Sequence, residues 1–459
     1  MAVGHRRSRV LSGTMMLIFI GLLVVVARMM GQHKQSIHKL NVPLRFWRWW
    51  KWSESFWNRE QQHLDLLYNP ILNVAPTRDD SLVARTPWWL NNRQALKPCE
   101  PDHRVPRQVG DYNTLPQRFQ DFLLYMRCRA YPILINQPHL CDDRPFLLLA
   151  IKSLAPHFDR RQAIRQSWGR AGNVANRTVV TVFLLGTASS VDHFPDLSGM
   201  LSHEAERNRD LLQWDYRDSF FNLTLKETHF LEWFSQHCSN APYILKGDDD
   251  VFVNTRQIIQ YLEHLPEGMT KDLFVGDVIQ NASPHRDHRL KYFIPESVFV
   301  GDYPPYAGGG GYLYSGPLAL RLYKVSQQVA LFPIDDVFTG MCLKKMGLVP
   351  EKHKGFQTFD VDKKYRENPC VYKNLILVHS RTPQEMIKIW SWLANPRLDC
   401  QNSTRTRSSS HTLPLRPALQ SAACLPLDGQ ARRDLQSGDK CHLVDRLLAE
   451  KDRKRNPSC

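Results

Sequence analysis

No CxxC pair and no His/Cys cluster at zinc-binding spacing occurs in this chain of 459 residues, although it holds ten cysteines. Dispersed thiols of this kind read as disulfides rather than metal or redox centres, which places the chain in an oxidising compartment. Cys99, Cys128, Cys141, Cys238, Cys342 and Cys370 are the candidates for pairing, with Cys400 left over. The middle of the chain also lacks a basic excess. Of a formal net charge of +15, residues 1–98 carry 14 Lys/Arg against 5 Asp/Glu and residues 401–459 carry 11 against 6, leaving 35 against 34 between Cys99 and Cys400. A centre so close to neutral has no charge with which to neutralise a row of phosphates, so nucleic acid is excluded as a partner.

The chief long apolar run is Val10 to Ala27, preceded by His5, Arg6, Arg7 and Arg9 and followed by Arg28 and Lys34. No clear small-x-small cleavage site follows it, which favours an uncleaved signal anchor over a signal peptide. The heavier positive flank comes first, so residues 1–9 are expected to be a cytosolic tail, 10–28 the transmembrane span, and the rest lumenal. A span this short suits a thin early-secretory membrane. Four glycosylation sequons, at Asn176, Asn222, Asn281 and Asn402, agree with a lumenal location. Residues 29–98 read as a stem. Its five tryptophans between Trp47 and Trp57 suit either a membrane-interface belt or docking on the body that follows.

From Cys99 to Cys400 the texture is that of a folded α/β domain. The unalternating apolar runs at 145–153 and 179–186 predict strands covered on both faces, with a helix at RRQAIRQSWG between them. Helices are predicted at 223–238 and 254–265, and strands at 243–245, 272–279, 310–315 and 375–380. LALRLYKVSQQV and DDVFTGMCLKKMG add two more helices. The alternation argues for a mostly parallel sheet. Residues 401–459, poor in aromatics and rich in Ser, Pro and Arg, are expected to be disordered.

The predicted strand at 243–245 runs into Asp248, Asp249 and Asp250. Ligands of open α/β sheets gather at the carboxyl ends of strands, and three adjacent carboxylates there need a cation: Lys246, or a hard divalent ion such as Mg²⁺ or Mn²⁺. By itself the triplet reads more readily as a solvated acidic turn capping the next helix. Lys152, Arg160, Arg161 and Arg165 follow the first strand, where they suit a pyrophosphate clamp or an exposed helix face. Asp335 and Asp336 form a second acidic pair, downstream of four consecutive glycines, Gly308 to Gly311, which allow close backbone approach to a ligand or simply a flexible loop. His379 ends a strand as a nitrogen ligand or a core histidine.

Taken in order, RRQAIRQSWG, FLLG, KGDDDVFVN, YPPYAGGGGYLYSG, FPIDDVFTGMCL, GLVPEKHKGF and LVHSRTPQEM resemble the Golgi β-1,3-glycosyltransferase family over Asn58 to Cys400. The resemblance is strongest to its β-1,3-N-acetylglucosaminyltransferase branch, which extends poly-N-acetyllactosamine. It implies a GT-A fold in the α/β class, a Rossmann-like nucleotide-binding half fused to an acceptor-binding half. It further implies inverting, Mn²⁺-dependent transfer (Mg²⁺ being the alternative ion) from UDP-GlcNAc to the 3-hydroxyl of a terminal galactose, in the Golgi membrane. A UDP-Gal-dependent galactosyltransferase and a catalytically silent Golgi partner subunit are the competing readings. Carried onto this sequence, Asp250 and His379 would hold the metal, and Asp248 the ribose or the metal. Asp249 would face the donor sugar, with Lys152, Arg161, Arg165 and Asp277 as further donor contacts. Asp336 would be the base, with Asp335 beside it and their roles exchangeable on sequence alone. Tyr306, Gly309 and Gly310 would wall the acceptor cleft. A homodimer and a hetero-oligomer with other Golgi glycosyltransferases both stay open, and the 59-residue tail beyond Cys400 departs from the family pattern and is expected to be dispensable.

Overall fold

The computed structural model describes residues 55–68, 99–188, 195–266 and 268–400. The expected anchor, most of the stem with Trp47 to Trp52, the Asn402 sequon and the C-terminal tail lie outside the described residues. Among those described, no helix is long and apolar enough to cross a membrane.

Helix α1 (Phe56–Tyr68) precedes α2 (Gln117–Tyr125) and β1 (Ile133–Ile135). Then come β2 (Leu147–Lys152), α3 (Phe158–Gln166), the hairpin β3 (Gly172–Val174) and β4 (Arg177–Thr187), α4 (Ser198–Asn208), β5 (Leu211–Arg217) and α5 (Leu223–His237). The second half carries β6 (Tyr243–Asp248), β7 (Val251–Val253), α6 (Thr255–Glu263), β8 (Phe274–Ile279), β9 (Tyr306–Ser315), α7 (Gly316–Ser326) and α8 (Asp335–Lys345). Short strands β10 (Glu351–Lys352), β11 (Phe356–Gln357) and β12 (Leu377–His379) lead to α9 (Pro383–Ala394). The capping is local: Asn254 accepts from the Gln257 amide at the start of α6, and Thr382 with Glu385 closes a capping box at α9.

Nine strands form the main sheet, in the order β1-β5-β4-β2-β6-β9-β8-β10 with β3 on β4. Strands β5, β4, β2 and β6 run parallel, as the sequence predicts, whereas β9 is antiparallel to both β6 and β8. The sheet is therefore mixed. β2 shows why its sequence does not alternate: Leu148 and Ala150 enter one core and Leu147, Leu149 and Ile151 the other, and all five are fully buried. A small second sheet, β11-β12-β7, leans on the carboxyl end of β6.

Three expectations change. Cys400 is bonded to Cys370 and Cys342 is a buried free thiol, because α8 turns Cys342 into the core and no second sulfur bonds it among the described residues. The other bridges are Cys99–Cys128 and Cys141–Cys238. The strand expected at 310–315 begins earlier, at Tyr306, so all four glycines lie in the middle of β9. Part of the expected stem, α1, is packed into the body: Trp57 is buried, its indole donates to the Ala330 carbonyl at 3.1 Å, and Gln61 accepts from the Ala330 amide at 2.7 Å. Helix α4 and strand β5 carry no strong periodic signature in the sequence.

Candidate active site

The register of the parallel strands fixes the first part of the site. Lys152 closes β2 opposite Asp248, which closes β6, so the two side chains emerge together at the carboxyl edge. The Lys152 ammonium lies 3.0 Å from Asp248 and 2.7 Å from Asp335 at the first turn of α8. It joins the end of one strand to the start of a helix far along the chain. Burial would lower the Lys152 pKa, but Asp248 and Asp335 outweigh it and hold the ammonium well above its ordinary range. Burial also raises the Asp335 carboxyl, and Lys152 more than reverses this, so Asp335 sits below the usual carboxylate value.

Asp336 has a different environment. Among the described residues its Oδ1 is buried without a hydrogen-bond partner, and burial, reinforced by the neighbouring Asp335 charge, pushes its carboxyl well above the ordinary range. The β9 glycines run past this group: a β-carbon at Gly309 would lie 2.7 Å from Asp336 Oδ2, one at Gly310 3.2 Å from His379 Cβ, and one at Gly308 2.7 Å from Thr358. The glycines thus admit the chain's own side chains to the strand. Tyr306 begins β9, and its hydroxyl is pushed up to about 12 by burial and then by Asp336.

Asp248, Asp250 and His379 offer ligand atoms all within 4.8 Å of one another. His379 Nδ1 lies 3.0 Å from the Thr358 carbonyl, an acceptor, so this nitrogen carries the proton. Nε2 then faces Asp250 Oδ1 at 3.1 Å. A lone pair and a carboxylate oxygen at that distance repel unless a proton or a metal cation sits between them. The raised pKa of His379, which Asp250 produces against the effect of burial, is the proton version of the same demand. Two carboxylates and an oriented imidazole are a donor set that fits a divalent metal.

Other predicted residues are placed elsewhere. Asp249, expected to face the donor sugar, turns inward from the turn between β6 and β7. It accepts from Ser153 Oγ at 2.8 Å and Arg160 at 2.9 Å, with His157 Nδ1 at 2.7 Å. Arg161, expected as a donor contact, is fully buried, and its guanidinium is spent on Glu204 and on the Leu154 and Ala155 carbonyls. Arg165 is held by Asp210 and Glu204. The reason is shared: the basic face of α3 meets Glu204 on α4 and Asp210 just after it, partners 43 and 45 residues on that leave no sequence signal. Asp277 on β8 accepts from the Thr358 amide at 3.3 Å and pairs with Lys352, so it tethers the Thr358 segment. Ser153, His157 and Thr358, which hold the site's charged groups, were not singled out from sequence.

The sequons also separate. Asn176 and Asn281 are exposed, in left-handed turn conformations. Asn222 is half-buried and donates to the Arg217 carbonyl at 2.8 Å.

Comparison with known proteins gives a consistent picture. Residues 159–354 match a family model described as Galactosyltransferase. The chain is 56% identical to N-acetyllactosaminide beta-1,3-N-acetylglucosaminyltransferase 2 of Mus musculus, with 87% of this chain and 100% of that protein covered. It is 55% identical to the Homo sapiens protein of the same name at the same coverage. To N-acetyllactosaminide beta-1,3-N-acetylglucosaminyltransferase 4 of Homo sapiens it is 43% identical, over 69% of this chain and 82% of that one. The solved apo structure of the WbbM bifunctional glycosyltransferase aligns at 11% identity over 55% of this chain and 50% of that one, with a TM-score of 0.31, too loose to argue from.

Proposed function

The chain belongs to the galactosyltransferase family, and we propose that it transfers N-acetylglucosamine from UDP-GlcNAc to the 3-hydroxyl of a terminal galactose on N-acetyllactosamine-type chains. The relatives' names supply the sugar and linkage. The observation that carries the chemistry is the unequal pair of carboxylates at the start of α8: Asp335 is neutralised by Lys152, and Asp336 keeps a buried oxygen without a partner.

Inversion in one displacement needs a carboxylate on the acceptor side to take the hydroxyl proton as the oxygen attacks the anomeric carbon. Asp336 takes that role. Its raised pKa makes it a good resting place for the proton, and the missing β-carbon at Gly309 keeps Oδ2 in position beside β9. Asp335 and Asp248 share Lys152, which fixes the acceptor edge relative to the donor edge. Tyr306 walls the same cleft. Asp248, Asp250 and His379 would hold Mn²⁺, or Mg²⁺, which when bound supplies charge stabilisation to the departing diphosphate. Asp249 keeps its triplet neighbours in place rather than meeting the sugar.

The proposed architecture is GT-A, with the nucleotide on the β2–β6 side and the acceptor on the β9–α8 side. Three disulfides, exposed Asn176 and Asn281, and the apolar run at 10–28 support a type II enzyme of the Golgi membrane. The test is transfer by the full chain from UDP-GlcNAc and from UDP-Gal to lactose and N-acetyllactosamine, with and without chelator. Chelator-sensitive GlcNAc transfer is expected. Transfer from UDP-Gal alone, or turnover indifferent to chelation, would overturn the reading.

A further inference from the structure

His379 can face a metal in only one of its two neutral forms, and residues outside the metal set select that form. With the proton on Nδ1, the Nε2 lone pair points at Asp250 Oδ1, 3.1 Å away. With the proton on Nε2, the ring would donate to Asp250 itself and close the site against a cation. The Thr358 carbonyl, 3.0 Å from Nδ1, selects the first form by accepting the Nδ1 proton. The presentation of the imidazole therefore depends on where Thr358 is held.

Thr358 stands where three elements meet. β11 pairs in parallel with β12, Phe356 opposite Leu377 and Gln357 opposite Val378, so the register brings Thr358 beside His379 as the ladder ends. Its side chain is seated against β9, where a β-carbon on Gly308 would come within 2.7 Å of it. From the β8 side, Asp277 Oδ2 accepts from the Thr358 amide at 3.3 Å, and Asp277 Oδ1 lies 3.3 Å from the Lys352 ammonium. Both oxygens of Asp277 are engaged by the chain itself, which is the arrangement of a tether and not of a donor contact.

Two residues after Thr358, Asp360 fastens the other side of the segment. Its Oδ1 accepts from Arg381 at 2.7 Å and its Oδ2 from Arg366 at 2.8 Å, while its backbone takes a left-handed φ of 71°. A residue other than glycine keeps that conformation where its surroundings enforce it, and such positions gather at functional sites. Arg381 is buried, and its own amide donates to the Asp250 carbonyl at 2.6 Å. One arginine thus joins the segment that orients His379 to the turn that carries Asp250.

We propose that Asp277 and Asp360 clasp the Thr358 segment from its two sides and, as positioning residues, set the affinity of the protein for its divalent ion. They do so by holding His379 in the form whose Nε2 lone pair is open to the metal. When the clasp is released, the Thr358 carbonyl withdraws, the proton moves to Nε2, and the imidazole bonds to Asp250 in place of the ion. This rests on the metal set assigned under the proposed function.

The test follows Mn²⁺ binding to the full chain at saturating UDP by the electron paramagnetic resonance of the free ion, which needs no turnover. Asp277→Ala and Asp360→Ala should each raise the Mn²⁺ dissociation constant by about 10- to 100-fold. Asp277→Asn keeps an oxygen for the Thr358 amide and should stay within about threefold of the unaltered protein. Excess Mn²⁺ should return the kcat of Asp277→Ala to within about threefold, and its affinity for UDP without metal should be unchanged. Where Asp360→Ala fails to fold because Arg381 loses its carboxylate, Asp277→Ala carries the test, since its charge partner Lys352 is 55% exposed. An unchanged Mn²⁺ affinity in Asp277→Ala overturns the clasp, and so does a fall in its metal-free UDP affinity, which would make Asp277 a donor contact. Failure of the unaltered protein to bind Mn²⁺ or to transfer GlcNAc instead overturns the underlying reading, so the two failures are distinguishable.

Discussion

Two groups of charges crowd the carboxyl edge of the same sheet, and they are built on opposite terms. Around Arg161, Arg165 and Asp249 every charge is answered by the protein itself: Glu204 and Asp210 for the arginines, Ser153, His157 and Arg160 for the aspartate. Around His379 and Asp336 the protein leaves demands open: an imidazole lone pair set against the Asp250 carboxylate, and a buried carboxylate oxygen without a donor among the described residues. A buried charge that is fully paired contributes to architecture, whereas one left short of a partner is poised for a ligand or a proton. The two groups look alike in sequence, since Asp249 and Asp250 share one acidic run and the other members are charged residues with no local mark of their partners.

The sharpest way to test that contrast is to remove the unanswered carboxylate. Asp336→Asn is expected to lower kcat by about 10³-fold or more, while UDP affinity measured by calorimetry stays as it was. Wild-type turnover in that variant would break the distinction. Gly309→Ala should follow: its β-carbon would meet Asp336 Oδ2 at 2.7 Å, and the displaced base is expected to cost about 10²-fold in kcat with the thermal midpoint little changed. His379→Gln removes the nitrogen from the metal set. The divalent ion concentration for half-maximal activity should rise by about 10- to 100-fold, read from metal titration of the rate.

The pH profile sharpens the contrast within the α8 pair. A base must be ionised to act, and burial together with Asp335 raises the Asp336 pKa, so kcat should climb with pH along a limb above the usual carboxylate range. An acid limb at the ordinary carboxylate value would count against Asp336. The smallest kinetic effect is expected in the answered group. Arg161→Met leaves Glu204 buried with half its partners and should cost about 3–5 kcal/mol of stability, seen in denaturant unfolding, while KM for the donor in the folded fraction stays unchanged. A raised donor KM without lost stability would return Arg161 to the donor site.

What could be read from the chain alone was whatever local pattern encodes. The strands at β2, β4 and β6 announce themselves because both faces are buried, which forces unbroken apolar runs. The Asp248 to Asp250 turn, the Asp335–Asp336 start of α8 and the strand-ending His379 were visible as punctuation after such runs, and the ordered motifs that contain them carry the family. Sequence could not choose between Asp335 and Asp336, because adjacent residues share composition and spacing and differ only in what packs against them. The choice rests on Lys152, 183 residues away in the chain, whose ammonium reaches one of the two and not the other. The same holds for Arg161, Arg165, Asp249 and the β9 glycines, whose parts are set by partners that only the folded sheet brings near. Hydrophobic periodicity is a local property of the chain, so sequence determines the elements. Pairing of buried charges depends on long-range proximity, so only the tertiary structure decides which carboxylate is neutralised and which keeps an oxygen without a donor among the described residues.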